Sequence, residues 1–125
     1  MIKGIGVDII EIERIRRLAD DSGERFLQRV FTEGELRYAA GKHHQYQHLA
    51  ARFAAKEAAS KAMATGWSGA FRWTDVEVVN DPTGQPRIIL HGELEKLLAG
   101  ATVHVTISHS DSHVVAMVVI EGSRP

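Results

Sequence analysis

The residues with the clearest chemical potential are Arg52, Lys56, Glu57 and Lys61, packed into Arg52-Phe53-Ala54-Ala55-Lys56-Glu57-Ala58-Ala59-Ser60-Lys61. One carboxylate stands among three cations in an apolar, Ala-rich helical pattern. A helix that holds a metal ion beside a phosphorylated ligand needs both signs of charge. Cations grip phosphate oxygens, and the acid holds the metal that bridges them. A second acid, Asp8, stands alone in Gly4-Ile5-Gly6-Val7-Asp8-Ile9-Ile10. A carboxylate in an apolar strand is costly unless it is paired, hydrogen-bonded or metal-bound. Mg²⁺ takes oxygen ligands, commonly one or two carboxylates completed by substrate phosphate and water. Asp8 and Glu57 are therefore read as two halves of one Mg²⁺ site. The plainer alternative is a sheet-edge acid plus a Glu57/Lys61 surface pair at i,i+4, worth at most about 0.5 kcal/mol. The density of charge among apolar neighbours favours the site.

Two further groups bear on function. Along His104-Val105-Thr106-Ile107-Ser108-His109, alternation sets His104, Thr106 and Ser108 on one face, polar enough to line a site or to be a solvated edge. Arg14 and Arg17, three apart, and Arg25 and Arg29, four apart, with Leu18 and Phe26 nearby, suit docking of an acidic helical partner, against the alternative of ordinary surface charge. His43, His44 and His48 lie close together, but HExxH is absent and a polar loop is the better reading than a zinc site. Trp67 and Trp73 flank a Gly-rich turn and read as packing anchors. No GxxxxGK[ST] loop is present, which excludes a P-loop phosphate site.

The elements that must position these residues follow from pattern. Ile2 to about Ile10 reads as a strand with Gly4, Gly6 and Asp8 on one face, the glycines leaving room or admitting another backbone. Glu11–Ala19 reads as a helix broken at Ser22-Gly23, and Glu24–Val30 as a short helical segment. Thr32-Glu33-Gly34-Glu35 matches a capping box opening a helix to about Ala40. Tyr46–Thr65 is a long helix ended by Gly66, its alanines implying close approach to a neighbour. Thr74–Asn80 and Arg87–His91 read as strands around a turn-rich loop, Glu93–Leu98 as a short helix, and Val103–Ser108 and Val114–Ile120 as a final strand pair. This order is α+β, a small antiparallel sheet packed with a long central helix, in one domain spanning residues 1–125.

Composition narrows the classes. The net charge of −1 gives no bulk pull toward nucleic acid or membrane. Absence of cysteine excludes disulfides and thiolate metal sites and fits a cytoplasmic protein. No run approaches the roughly 20 apolar residues of a spanning helix, and the start does not read as a signal peptide.

Taken together, Gly6-Val7-Asp8 and Phe53-Ala54-Ala55-Lys56-Glu57-Ala58-Ala59-Ser60-Lys61 resemble the two signatures of phosphopantetheinyl transferases. The short length, the opening Ile2–Ile9 and Arg52–Ala58 resemble the holo-(acyl-carrier-protein) synthase type, as do Thr83-Gly84-Gln85-Pro86 and His104–Ser110. The resemblance implies transfer of 4′-phosphopantetheine from coenzyme A to a serine of apo acyl carrier protein, for fatty acid biosynthesis, with adenosine 3′,5′-bisphosphate as the second product. It implies that Asp8 and Glu57 hold Mg²⁺ and that Glu57, directly or through a bound water, removes the serine proton. Lys61 would neutralise or protonate the leaving phosphate. Arg52, Lys56, Lys61 and His104 would grip coenzyme A, with Gly84 and Pro86 completing its pocket from a neighbouring subunit. A homotrimer with active sites between subunits is implied, as is a carrier-protein surface at Arg14, Leu18, Arg25, Phe26 and Arg29. The Lys42–His48 stretch is more His-rich than the resemblance leads one to expect. Two other classes compete: a Mg²⁺-dependent phosphohydrolase, which would want more carboxylates, and a non-catalytic module binding an acidic protein.

Overall fold

The computed structural model describes residues 1–63 and 71–122. Strand β1 (Ile2–Glu11) leads into α1 (Ile12–Val30), α2 (Glu33–Ala40) and α3 (Gln45–Met63). A single 3-10 turn, Trp73–Asp75, opens β2 (Val76–Asn80), followed by β3 (Pro86–Leu90), α4 (Gly92–Leu97), β4 (Thr102–His109) and β5 (His113–Glu121). The expected end of the long helix at Thr65–Gly66, and Trp67, lie outside the described residues. The α+β class agrees with the expectation, but the strands form two sheets. One has the order β1-β5-β4 and the other is the β2–β3 hairpin, all antiparallel. β3 lies beside β4 without hydrogen-bonding into its sheet.

Helix α3 is central rather than amphipathic. Leu49, Phe53, Ala54, Ala58, Ala62 and Met63 are buried as the spacing predicts, and so are Ala50, Ala55 and Ala59. Its small side chains let it lie on the inner face of the three-stranded sheet, where Ile10, Val114, Ala116, Val118 and Ile120 are buried. The approach to β1 is backbone to backbone. A Cβ on Gly4 would stand 1.9 Å from the Ala62 carbonyl oxygen, and one on Gly6 2.0 Å from that of Ala58. Of the two readings of these glycines, admission of another backbone is the one realised.

The other boundaries follow local rules. The helical run from Ile12 is interrupted at Gly23, where φ is +53° and ψ −134°, a conformation that disfavours any residue with a Cβ. At α2 the capping box is complete: Thr32 Oγ1 accepts from Glu35 N and Glu35 Oε1 accepts from Thr32 N. Thr74 and Asp75, expected in β2, belong to the 3-10 turn instead. Trp73 is a packing anchor as read: it stacks on Phe53 with centroids 5.2 Å apart.

Candidate active site

Asp8 projects from the inner face of β1, and Glu57 and Lys61 from α3, at the contact that Gly4 and Gly6 permit. Lys61 Nζ lies 3.2 Å from Asp8 Oδ1 and donates to the Val7 carbonyl at 3.0 Å. The Asp8 side chain is 17% exposed and that of Lys61 54%. Lys61 therefore pairs across elements with Asp8, and the i,i+4 surface pair with Glu57 is not the contact formed. Burial, and secondarily the Asp8 carboxylate, raise the Glu57 pKa above its ordinary value, while Lys61 and Arg14 act to lower it. A carboxyl whose ionisation a neighbouring carboxylate opposes favours a further positive charge beside it. Their hard oxygen donors suit Mg²⁺, which needs only one or two carboxylates when phosphate and water complete its shell. The residues present fit that ion.

The rest of the phosphate-gripping set divides in two. Arg52 lines a cavity of about 290 Å³ between α3, the β2–β3 hairpin and the sheet, together with Gly84, Pro86, Asn80, Tyr38 and His48. Its NH2 donates to Asn80 Oδ1 at 2.8 Å, and Asn80 in turn donates to the Gly84 carbonyl at 2.9 Å. The hairpin tip is preorganised by Asp81, whose Oδ1 accepts from Thr83 N at 2.9 Å and from Gln85 N at 3.1 Å. Gly84 has φ of +90°, where a side chain would be strained.

Lys56 is the correction. It was expected to grip a phosphate, but it is fully buried and turned into the core. Its ammonium lies 2.8 Å from Glu35 Oε1 and donates to the Trp73 carbonyl at 2.9 Å and to the Val76 carbonyl. An ammonium has three protons, and all three have acceptors here. Glu35 is equally buried and also accepts from Val78 N at 2.8 Å, so the pair ties α2, α3 and β2 together. The spacing of Arg52 and Lys56 on one helical turn concealed this, because the partner comes from another helix.

His104 stands where alternation predicts, on the exposed face of β4, with Nε2 3.0 Å from Glu121 Oε1. Its row in the sheet runs through Val119 to Ile5. That is the face opposite Asp8, so one chain does not bring His104 to the carboxylate pair. The same face exposes Ile5, Val7, Ile9 and Met117. On α1, Arg14, Arg25 and Arg29 are exposed and form no ion pair among the described residues, unlike Arg16, which is paired with Glu13 and Asp20. Leu18 and Phe26 are half-buried against the core, Phe26 edge-on to Phe31 at 5.9 Å. The histidine stretch forms no metal cluster among the described residues. Sequence reasoning missed Asn80, Tyr38 and His48 at the cavity, although His48 precedes Arg52 by one helical turn and shares its face.

A family model described as the 4′-phosphopantetheinyl transferase superfamily matches residues 4–118. The holo-[acyl-carrier-protein] synthase of Geotalea daltonii is 45% identical over 124 residues, covering 97% of this chain and 99% of that protein. That of Koribacter versatilis is 42% identical over 124 residues, again 97% of this chain and 99% of the other. Among solved structures, the Neisseria meningitidis holo-[acyl-carrier-protein] synthase superposes with a TM-score of 0.88 at 36% identity, over 97% of this chain and 99% of that one. The Bacillus anthracis synthase, crystallised in complex with CoA (3′,5′-ADP), gives 0.81 at 42% identity, over 98% and 99%.

Proposed function

Because the chain belongs to the 4′-phosphopantetheinyl transferase superfamily, we propose that it transfers 4′-phosphopantetheine from coenzyme A to a serine hydroxyl of apo acyl carrier protein, supplying holo carrier protein for fatty acid biosynthesis. Adenosine 3′,5′-bisphosphate is the other product. The observation that carries this reading is the meeting of Asp8, Glu57 and Lys61 at the β1–α3 contact, one to two turns along α3 from the Arg52 cavity.

The reaction joins a serine oxygen to the β-phosphorus of a pyrophosphate and breaks the bond to the bridging oxygen. It needs a held nucleophile, a proton acceptor and neutralised charge. Asp8 and Glu57 would hold Mg²⁺, which when bound supplies electrostatic stabilisation to the pyrophosphate. Glu57, directly or through a bound water, takes the serine proton. Lys61, 54% exposed, would neutralise or protonate the leaving bisphosphate. Arg52 binds a coenzyme A phosphate, with Gly84 and Pro86 bounding the nucleotide. Arg14, Arg25 and Arg29 attract the acidic carrier protein. Arg14 acts electrostatically on the Glu57 carboxyl, which supports a docking face near the reacting centre.

We also propose a homotrimer. The exposed apolar row Ile5, Val7, Ile9 and Met117 calls for a cover, and a second copy seated there would bring His104 to a neighbour's coenzyme A. A cytoplasmic location suits both substrates. Among the described residues no helix is long and apolar enough to cross a membrane.

The test is intact-mass spectrometry of apo acyl carrier protein incubated with the protein, coenzyme A and Mg²⁺, with an EDTA control. A Mg²⁺-dependent gain of about 340 Da, one phosphopantetheine, is expected. Coenzyme A consumed without that gain would establish a hydrolase instead. Unmodified carrier with intact coenzyme A, across several carrier proteins, would leave a binding module.

A further inference from the structure

His104 stands on the outer face of the three-stranded sheet with a carboxylate beside it. Its Nε2 lies 3.0 Å from Glu121 Oε1. The two belong to neighbouring strands. His104 of β4 faces Val119 of β5, and Glu121 lies two positions further along the same face, opposite Thr102. Long side chains reach such a diagonal neighbour across an antiparallel pair. The strand end that carries Glu121 is held on both sides, by Ile2 of β1 and Thr102 of β4. Gly122 then closes the edge: its N–H donates to the Met1 carbonyl at 2.9 Å, and the Met1 ammonium donates to the Gly122 carbonyl at 3.2 Å. The Glu121 side chain thus springs from a fixed backbone.

Stability is not what this contact supplies. Both side chains are about half exposed, and ion pairs in that setting contribute little to folding. Neither residue has a second ion pair among the described residues, and His104 Nδ1 has no hydrogen-bond partner among them. That free nitrogen stands beside apolar surface. The row of His104 runs through Val119 to Ile5, which is exposed, and the next row brings the exposed pair Val7 and Met117. An imidazole fixed by a carboxylate at the margin of an uncovered apolar face finds its use in the molecule that covers that face.

We propose that Glu121 is a positioning residue for the transfer reaction: it accepts from His104 Nε2–H and thereby presents Nδ1 across the subunit boundary to the coenzyme A of a neighbouring copy. The inference rests on the proposed transferase and homotrimer. An ionised carboxylate can only accept, so Nε2 must carry a proton and Nδ1 is left as the atom that meets the ligand. Where the ligand group is itself an acceptor, the ring sits doubly protonated between two acceptors, and both hydrogen bonds are charge-assisted. Without Glu121 the ring is free to turn about its side-chain torsions, and binding must then order it. Glu121 itself touches no ligand in this arrangement. Its whole effect on the reaction passes through His104.

The experiment is steady-state transfer by the full chain, with coenzyme A varied at saturating carrier protein and Mg²⁺. Wild type, Glu121→Ala, Glu121→Gln, His104→Ala and the double variant Glu121→Ala/His104→Ala are compared, each with a thermal melt and light scattering. Glu121→Ala should raise KM for coenzyme A on the order of three- to tenfold. Its kcat should change by less than about twofold, since a held ligand contact acts on binding. His104→Ala should raise KM at least as much, and the double variant no further, because residues that act through one contact do not add. Glu121→Gln, whose amide oxygen still accepts from Nε2–H, should recover most of the wild-type KM. Every variant should keep the mass and the melting temperature of the wild type. Additive losses in the double variant, or a wild-type KM in Glu121→Ala, would overturn the proposal while leaving the transferase reading intact. So would a lowered mass or melting temperature in Glu121→Ala, which would make the residue a structural contact. A wild type that transfers as a single chain would overturn the homotrimer and the proposal together. No transfer by the wild type would overturn the transferase reading, and the proposal with it.

Discussion

Lys61 Nζ lies 3.2 Å from Asp8 Oδ1, and the same ammonium donates to the carbonyl of Val7, so the cation of α3 is seated on the strand rather than along its own helix. A residue 53 positions away in sequence thus neutralises the acid of β1. Lys61→Ala should leave Asp8 and Glu57 facing each other with no cation of the protein between them. Because the Lys61 side chain is 54% exposed, the loss of stability should be at most about 1 kcal/mol. The loss of turnover should be about 10²- to 10³-fold, since the charge it neutralises develops only as the bond breaks. Denaturant titration and steady-state phosphopantetheinyl transfer separate the two effects. Equal losses in both would mean that Lys61 is structural.

The Glu57 carboxyl gives a prediction with a definite sign. Its folded pKa is raised, chiefly by burial and next by Asp8, so the folded state binds its proton more tightly than the unfolded chain does. Ionised Glu57 therefore opposes folding above the raised value, and that opposition disappears as pH falls through the raised value to the ordinary 4.5. Without metal, Glu57→Gln should melt higher than wild type at neutral pH, the difference closing toward pH 4.5, while transfer is lost. An unchanged or lowered melting temperature at neutral pH would show that the carboxylate is not strained as described.

The buried pair Lys56–Glu35 should behave in the opposite way. Lys56→Met removes one partner and leaves the other charge buried, a change that costs about 3–5 kcal/mol. That is a large share of the roughly 5–15 kcal/mol that holds a small domain together. Chemical denaturation should show it directly. If coenzyme A affinity falls while stability does not, Lys56 reaches the ligand after all.

That pair also explains why some of the site was legible in the sequence and some was not. Asp8 and Glu57 stood out because an acid in an apolar run has few bland explanations, and the structure puts both at one contact. His104 could be assigned a face because strand alternation has a fixed period. Lys56 could not be sorted from Arg52, since both sit on the same side of α3 and only the tertiary partner distinguishes them. Glu35 was readable as a capping-box residue but not as the counter-ion of Lys56, because its Oε1 serves both purposes while Oε2 accepts from Val78 N. The division into two sheets was equally hidden, since strand pattern does not say whether a hairpin joins its neighbour.

Gly6 makes a sharper test of how the carboxylates are brought together. Its absent Cβ is what lets the Ala58 carbonyl approach, and Ala58 directly follows Glu57. Gly6→Ala would put a carbon 2.0 Å from a backbone oxygen, a clash that no rotamer relieves. Either α3 shifts off β1 or the chain is destabilised, by about 1–3 kcal/mol or more. Mg²⁺ affinity measured by calorimetry should fall with activity. A folded variant with unaltered metal affinity would show that the β1–α3 distance does not set the site.

The outer face of the three-stranded sheet supplies the last prediction. Val7 and Met117 are paired across β1 and β5, and both are exposed. A sheet face with apolar residues in solvent is more often an interface than a free surface. Met117→Lys places a charge at the centre of that row without touching the inner core, so the isolated fold should survive. Light scattering of the wild type should give a mass of three chains, and that of the variant a single chain with an unchanged circular dichroism spectrum. If His104 reaches a neighbour's coenzyme A, the separated chains should lose affinity for coenzyme A and transfer together. A monomeric variant with full affinity would instead confine the whole site to one chain and leave His104 outside it.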